Sequence, residues 1–247
     1  MLFSKGNLQY QASTGTWRFA SHQHEYIGKD NEKISETYSG WIDLFGWATS
    51  GYDHGAVNYQ PWSGNKDTQS NALHHAYGNA AYDLFDQTGK ADWGYNAISN
   101  GGNQENQWRT PRLEEWSYLL FVRPTASGIR FAKGQVDGVD GLIVLPDHWK
   151  VTTYQLNSVN MVESYCNSNV ISLSDWQQYM EPAGAVFLPM AGARTISGVF
   201  IDAGFCQTST AGAEDSFEVV FYNSNLVFLA DGHRGDGLSV RLVHDVE

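Results

Sequence analysis

The sequence predicts an α+β fold, with two main helices among short antiparallel strands and one long irregular insertion. Three observations predict it. Apolar residues take helical spacing after Thr110, and a capping box at Ser174 opens a second helix. Short alternating runs bounded by Gly, Asn and Asp recur elsewhere. The stretch from about Tyr38 to Asn106 is rich in Gly, Asn, Asp, Trp and Tyr, has little periodicity, and is too long for a simple loop.

The elements follow in chain order. Gly6–Gln11 and Thr16–Ala20 alternate apolar and polar residues around a Ser-Thr-Gly turn, which is a hairpin signal. The irregular stretch is expected to be held by Trp41, Phe45, Trp47, Tyr82, Phe85 and Trp93, with a short helix over Ala72–Phe85. Thr110-Pro111 supplies an N-cap and a first-turn proline, and Leu113, Trp116, Leu119 and Leu120 follow as a helical stripe. Ile129–Val136 and Leu142–Leu145 read as paired strands joined around Asp137-Gly and Asp140-Gly. Ser174–Gln177 has the spacing of a capping box, and Pro182 and Gly184 end the helix that it opens. Ala185–Pro189 reads as a buried strand. Ser216–Tyr222, Asn225–Leu229 and Leu238–Val243 read as closing strands.

Alternation assigns their faces. Phe217, Val219 and Phe221 point to the core, with Glu218, Val220 and Tyr222 outward. Leu226 and Phe228 are expected inward, and Val227 and Leu229 outward as an apolar patch that marks a binding site. The segment Leu229–Gly237 has no pattern, and its backbone is expected to be fixed by Gly232, Gly235 and Gly237 rather than by outward side chains. No linker divides the chain, so residues 1–247 read as one domain.

Composition excludes several classes. Hydrophobic residues make up 42% and charged residues 17%, an ordinary globular balance. A net charge of -12 repels phosphate backbones, so nucleic acid is not an expected partner. No apolar run has the length of a membrane span. The first residues lack the apolar core of a signal peptide and read as a strand edge, so a leader or upstream segment is expected to have been removed. Two cysteines, Cys166 and Cys206, allow one disulfide or two free thiols.

Trp108-Arg-Thr-Pro-Arg-Leu-Glu-Glu-Trp116 resembles the W-R-x-P-T-x-x-E-W helix start of the formylglycine-generating-enzyme-like proteins. Phe187–Arg194, Gly204–Thr210 and Gly237–Val243 extend the resemblance, and Gly6–Thr14 and Tyr38–Trp47 are similar to a Bacteroidales-type branch of that group. The resemblance implies a C-type-lectin-like fold. The branch includes the variable proteins of diversity-generating retroelements, in which template adenines are miscopied and the altered side chains form a binding surface. Randomising the two adenines of an AAY codon cannot yield Lys, Glu, Gln, Met or Trp. None of these occurs from Val219 to Val243, whereas Gln207, Glu214 and Glu218 must be fixed or come from other codons.

The function expected on this basis is non-catalytic recognition of a protein or glycan receptor. It uses a diversified region at about 204–243, on a cell surface or phage particle. The candidate binding residues are Phe205, Cys206 and Gln207, then Ala211, Ala213 and Asp215, then Val220 and Tyr222. Val227, Leu229, Asp231, His233 and Asp236 complete the set. The alternatives are a formylglycine-generating-type metal oxidase and an undiversified adhesin. That oxidase needs a C-terminal cysteine pair, but Cys166 and Cys206 lie in no matching motif.

No cofactor or catalytic group is expected. Calcium stays open for the oxygen-rich Asp137–Asp140 and Asp231–Asp236, although turns use Asp and Gly anyway. His22-Gln-His24, His74-His75 and Asp53-His54 lack zinc-site spacing and read as surface groups. Arg234-Gly-Asp236 matches an integrin-type tripeptide by coincidence. Arg241 in the closing strand is expected to be structural and hydrogen-bonded, and oligomeric state is left open.

Overall fold

The structure, a computed structural model, describes residues 1–52, 56–64, 82–85, 89–224 and 226–246. Strand makes up 30% of it and helix 16%. The expected α+β, C-type-lectin-like architecture with two main helices is therefore overturned: several small sheets carry the fold. The helices start near the expected places but stay short. α1 (Leu113–Ser117) is prolonged only by a wider turn, Tyr118–Val122. Pro124 then forces Arg123 into extended backbone, with ψ 126°. α2 (Leu173–Asp175) is prolonged through Trp176–Met180, and Gly184, at φ 90°, turns the chain after it.

Both expected caps are displaced. Thr110 is buried, and its backbone N–H and hydroxyl each donate to Asp92 at 2.9 Å. The Arg112 N–H instead donates to Glu115 at 2.8 Å at the start of α1. Ser172, not Ser174, caps α2 by accepting from the Asp175 N–H at 3.0 Å.

The strands are β1 (Leu2–Phe3), β2 (Leu8–Gln11), β3 (Thr16–Phe19), β4 (Leu44–Phe45), β5 (Phe131–Val136), β6 (Val139–Val144), β7 (Val170–Ile171) and β8 (Val186–Pro189). They continue with β9 (Ala193–Thr195), β10 (Gly198–Phe200), β11 (Ala203–Ala211), β12 (Ser216–Tyr222), β13 (Val227–Gly232), β14 (Leu238–Ser239) and β15 (Val243–His244). The largest sheet has the order β13-β12-β11-β14-β4, and a second has the order β7-β5-β6-β8. Three two-stranded pairs, β2-β3, β9-β10 and β1-β15, complete the fold. The expected hairpins β2-β3 and β5-β6 form. The second turns on Asp137 and Gly138, both at positive φ (51° and 79°), as a two-residue turn between twisted strands requires.

The core has three main parts. Leu8, Phe19, Phe45, Trp47 and Trp93 join the N-terminal hairpin to the irregular stretch. Of the rings expected to hold that stretch, Phe45, Trp47 and Trp93 are buried, Trp41 lies under the Arg18 guanidinium at 3.6 Å, and Tyr82 is exposed. Most of the expected helix over Ala72–Phe85 falls outside the described residues, as do His74-His75 and Asp53-His54. α1 packs Trp116 and Leu120 against Phe131 and Leu142 of one large sheet and Val219 and Phe221 of the other. α2 packs Trp176 and Met180 on Ile143 and Phe187.

A buried polar clamp ties these parts together. Arg241 is fully buried and donates to Gln23 Oε1 at 2.8 Å and to Asn7 Oδ1 at 3.4 Å. Gln23 Oε1 also accepts from the Phe187 N–H at 2.7 Å, and its amide donates to Glu181 at 2.9 Å. Burial lowers the Arg241 guanidinium to about 10, which still leaves it charged at neutral pH. The structural role expected of Arg241 holds.

Candidate recognition surface

β11 is the central strand on which the candidate residues depend. It is nine residues long, and its small and polar residues gave no strand signal. Gln207, Thr208 and Ser209 are nonetheless buried. β11 pairs antiparallel with β12 on one side and parallel with β14 on the other. Gly204 lies against the Phe221 ring, where a β-carbon would overlap it, so close approach explains the glycine.

The register across β11, β12 and β13 sorts the candidates by parity. Phe205 sits opposite Val220, which sits opposite Phe228; Gln207 sits opposite Glu218, which sits opposite Ala230. One sheet face therefore carries Phe205, Gln207, Val220 and Tyr222 together with Phe228 and Ala230. The other face carries Cys206, Val219, Phe221 and Val227 against α1, with Leu229 packed beside them.

This corrects the expected facing of β13. Val227 is buried against α1 and Leu229 half-buried, whereas Leu226 is exposed and Phe228 lies on the opposite face. The reason is register. β13 starts at Val227, and its continuous pairing with β12 puts Val227 and Leu229 on the side of Phe221 and Val219. Val220 was expected outward and is on the outward-assigned face, but it is buried there among Phe205, Ala203 and Leu238. Ala211 and Cys206 are also buried.

Other candidates gather at the far end of the sheet. Ala213, Asp231 and His233 are exposed, and Asp215 and Asp236 are half-buried. The patternless segment is not an arbitrary tip, since its first part is strand. Arg234 is buried, stacks 4.5 Å from the Trp47 ring, and donates to the carbonyls of Asp215 and Gly212 at 3.0 Å. The Arg-Gly-Asp tripeptide thus has its arginine turned inward. Gly232, Gly235 and Gly237 do not take positive φ. Gly232 and Gly237 sit in close quarters instead: a β-carbon would meet the Glu218 carboxyl at the first, and the Arg194 guanidinium and the Leu44 carbonyl at the second.

Sequence reasoning named Tyr222 but missed Glu218, Phe228 and Phe200. Glu218 is 7% exposed, and its carboxyl is pushed up to about 8, first by burial and then by Asp236, Asp215 and Asp231. The side-chain oxygen of its neighbour Gln207 is buried without a hydrogen bond among the described residues. Tyr222 stacks on Phe228 with centroids 6.2 Å apart at 19°. Phe200, 39% exposed, packs edge-on against Phe205, whose cluster Phe228 joins, and Ile201, also 39% exposed, lines the cleft next to it. That cleft, of about 390 Å³, is also lined by Tyr26, Asp140, Asp202 and Asn223. The signal for this patch lay in its own parity, once β13 begins at Val227.

The remaining chemistry reads as follows. Cys166 and Cys206 are free and buried, and burial pushes their thiols up to about 11 and about 12. Asp140 accepts from Gln135 at 2.7 Å and from Asn223 at 2.5 Å. His22 and His24 stack at 5.7 Å in a turn rather than on a strand. Among the described residues, no group of three or more His, Cys, Asp or Glu converges as metal ligands would. Among the same residues, no helix is long and apolar enough to cross a membrane. No protein-family model, curated protein or solved structure matches the chain.

Proposed function

We propose that the protein is a recognition module without chemistry of its own, and that it binds through the face of the β11-β12-β13 sheet turned away from α1. The observation that carries this reading is the surface patch of Tyr222 stacked on Phe228, bordered by Phe200 and Ile201. Rings of this kind supply apolar area with little entropy to lose, and flat ligands such as sugars or apolar protein segments stack on them. Asp140, Asp202 and Asn223 in the adjoining cleft add the polar groups that orient a ligand. Phe205 and Val220 pack with Phe228 in one buried cluster beneath this face.

Kinship with the variable proteins of diversity-generating retroelements is part of the proposal. It rests on the sequence blocks and on the five residue types missing from Val219 to Val243. It implies a protein or glycan receptor and a place on a cell surface or phage particle. Two experiments test the reading. The gene is compared with any nearby template repeat: differences confined to template adenines support diversification, and their absence refutes it. A substitution library at Phe200, Ile201, Tyr222, Phe228 and His233 is scored for folded yield and for binding to a glycan array and intact bacterial cells. Variants that fold but change binding support the surface. A ligand retained by every folded variant places recognition elsewhere.

A further inference from the structure

β13 is the outer strand of the largest sheet, and its free side meets an apolar groove. The Tyr222 N–H donates to the Leu226 carbonyl at 3.3 Å, which fixes the hydrogen-bonding phase of the ladder. Two residues on, Val220 and Phe228 face each other's amides, followed by Glu218 with Ala230 and Ser216 with Gly232. The N–H and C=O groups of Val227, Leu229 and Asp231 therefore point away from the sheet; Val227 is buried, so those of Leu229 and Asp231 form the open edge. Among the described residues no hydrogen bond reaches them. Edge strands are normally protected by lysine, proline, a bulge or a covering element. Val-Phe-Leu-Ala-Asp-Gly contains neither residue, and its pairing with β12 runs without a bulge over six pairs.

The groove beside this edge holds about 450 Å³ and is lined by Leu113, Glu114, Tyr118, Val122, Phe217 and Leu229. Tyr118 and Val122, 50% and 64% exposed, are apolar residues that α1 does not bury in its own core. They lie on the sheet face that carries Leu229, so a strand added to β13 would set alternate side chains against them. Charge selects the occupant. Glu114 lines the groove and Asp231 is exposed at the end of the edge, on a chain of net charge -12. A second copy would bring like charges together.

We propose that β13 is a docking edge for an extended segment of another protein, which pairs with the outward amides of Leu229 and Asp231. On the side turned to the groove that segment carries apolar residues, which meet Tyr118, Val122 and Leu229, and a Lys or Arg, which meets Glu114 and Asp231. This surface is separate from the aromatic patch and does not depend on it.

The probe is a short capped peptide with threonine at every second position and valine, valine and lysine at the positions between, titrated into the whole chain and followed by amide hydrogen exchange. The expected result is protection of the Leu229 and Asp231 amides by about tenfold or more. Asp231→Pro removes one outward N–H at an exposed position, Tyr118→Ala opens the groove, and each should weaken binding by about tenfold or more. Phe228→Ala, on the other face, should leave peptide binding unchanged while altering recognition at the aromatic patch. If Asp231→Pro fails to fold, Tyr118→Ala and a peptide N-methylated on alternate amides carry the test. Protection at other amides, equal binding of the methylated peptide or of one with glutamate for lysine, or no binding at millimolar peptide overturns the proposal. So does protection of the same amides by self-association without peptide.

Discussion

Glu218 makes the sharpest test of the electrostatics of this sheet. Its carboxyl ordinarily titrates near 4.5 and is raised to about 8, by burial first and then by Asp236, Asp215 and Asp231. Between those values the folded chain holds a proton that the unfolded chain has released. Stability must therefore fall as pH rises from about 4.5 to about 8, and flatten above. At about 1.4 kcal/mol per pH unit, the gap corresponds to a loss of up to about 5 kcal/mol. Glu218→Gln keeps the shape and removes the proton. The assay is urea unfolding of both proteins at steps from pH 4 to pH 8.5. The two should be nearly equal at pH 4, and the variant should be more stable by several kcal/mol at the alkaline end. Asp43, buried and raised to about 6, adds a slope of the same sign to both proteins, so the difference between them isolates Glu218. Parallel curves across the range would refute the argument.

The remaining predictions concern packing. Trp116→Ala empties a fully buried site between α1 and two sheets and should cost about 3–5 kcal/mol, read as a large drop in thermal midpoint. Gln23→Ala leaves Arg241 buried without its shorter hydrogen bond and should cost about 2–3 kcal/mol. A double-mutant cycle with Arg241→Met should return a coupling of about 1 kcal/mol or more, and a value near zero would show that the clamp is incidental. Val227→Ala should destabilise by about 1–2 kcal/mol because its side chain packs on α1. His233→Ala, at an exposed position, should stay within about 0.5 kcal/mol. Equal costs at these two positions would contradict the register of β13.

Much of the fold was legible where local physics dominates. The β5-β6 turn needed two residues at positive φ, and Asp137-Gly138 announces that. The α1 stripe of Trp116 and Leu120 announces its buried face. The strand Ser216–Tyr222 was legible to the residue. What failed was set at long range. Thr110 has cap chemistry, but Asp92, eighteen positions earlier, claims both its donors. β11 is buried by neighbours on both sides, so it needs no alternating pattern, and its Gln, Thr and Ser residues hide it. The overall class failed because helix stripes say where a helix begins, whereas Pro124 and Gly184 say how little of it survives.

The error at β13 also bears on function. Side chains alternate with a period of two, so moving the start of a strand by one residue exchanges its faces. Starting the inward set at Leu226 puts Val227 and Leu229 on display; starting the strand at Val227 buries them against α1 and presents Phe228 beside Tyr222. Every second position from Phe205 to Ala230 then answers to a different constraint. Cys206, Val219, Phe221 and Val227 must fill the space that α1 leaves, and substitutions there cost stability. On the proposed reading, Tyr222 and Phe228 answer to the ligand instead. A chain that diversified its C-terminal strands would therefore tolerate change only at alternate positions and in the turns.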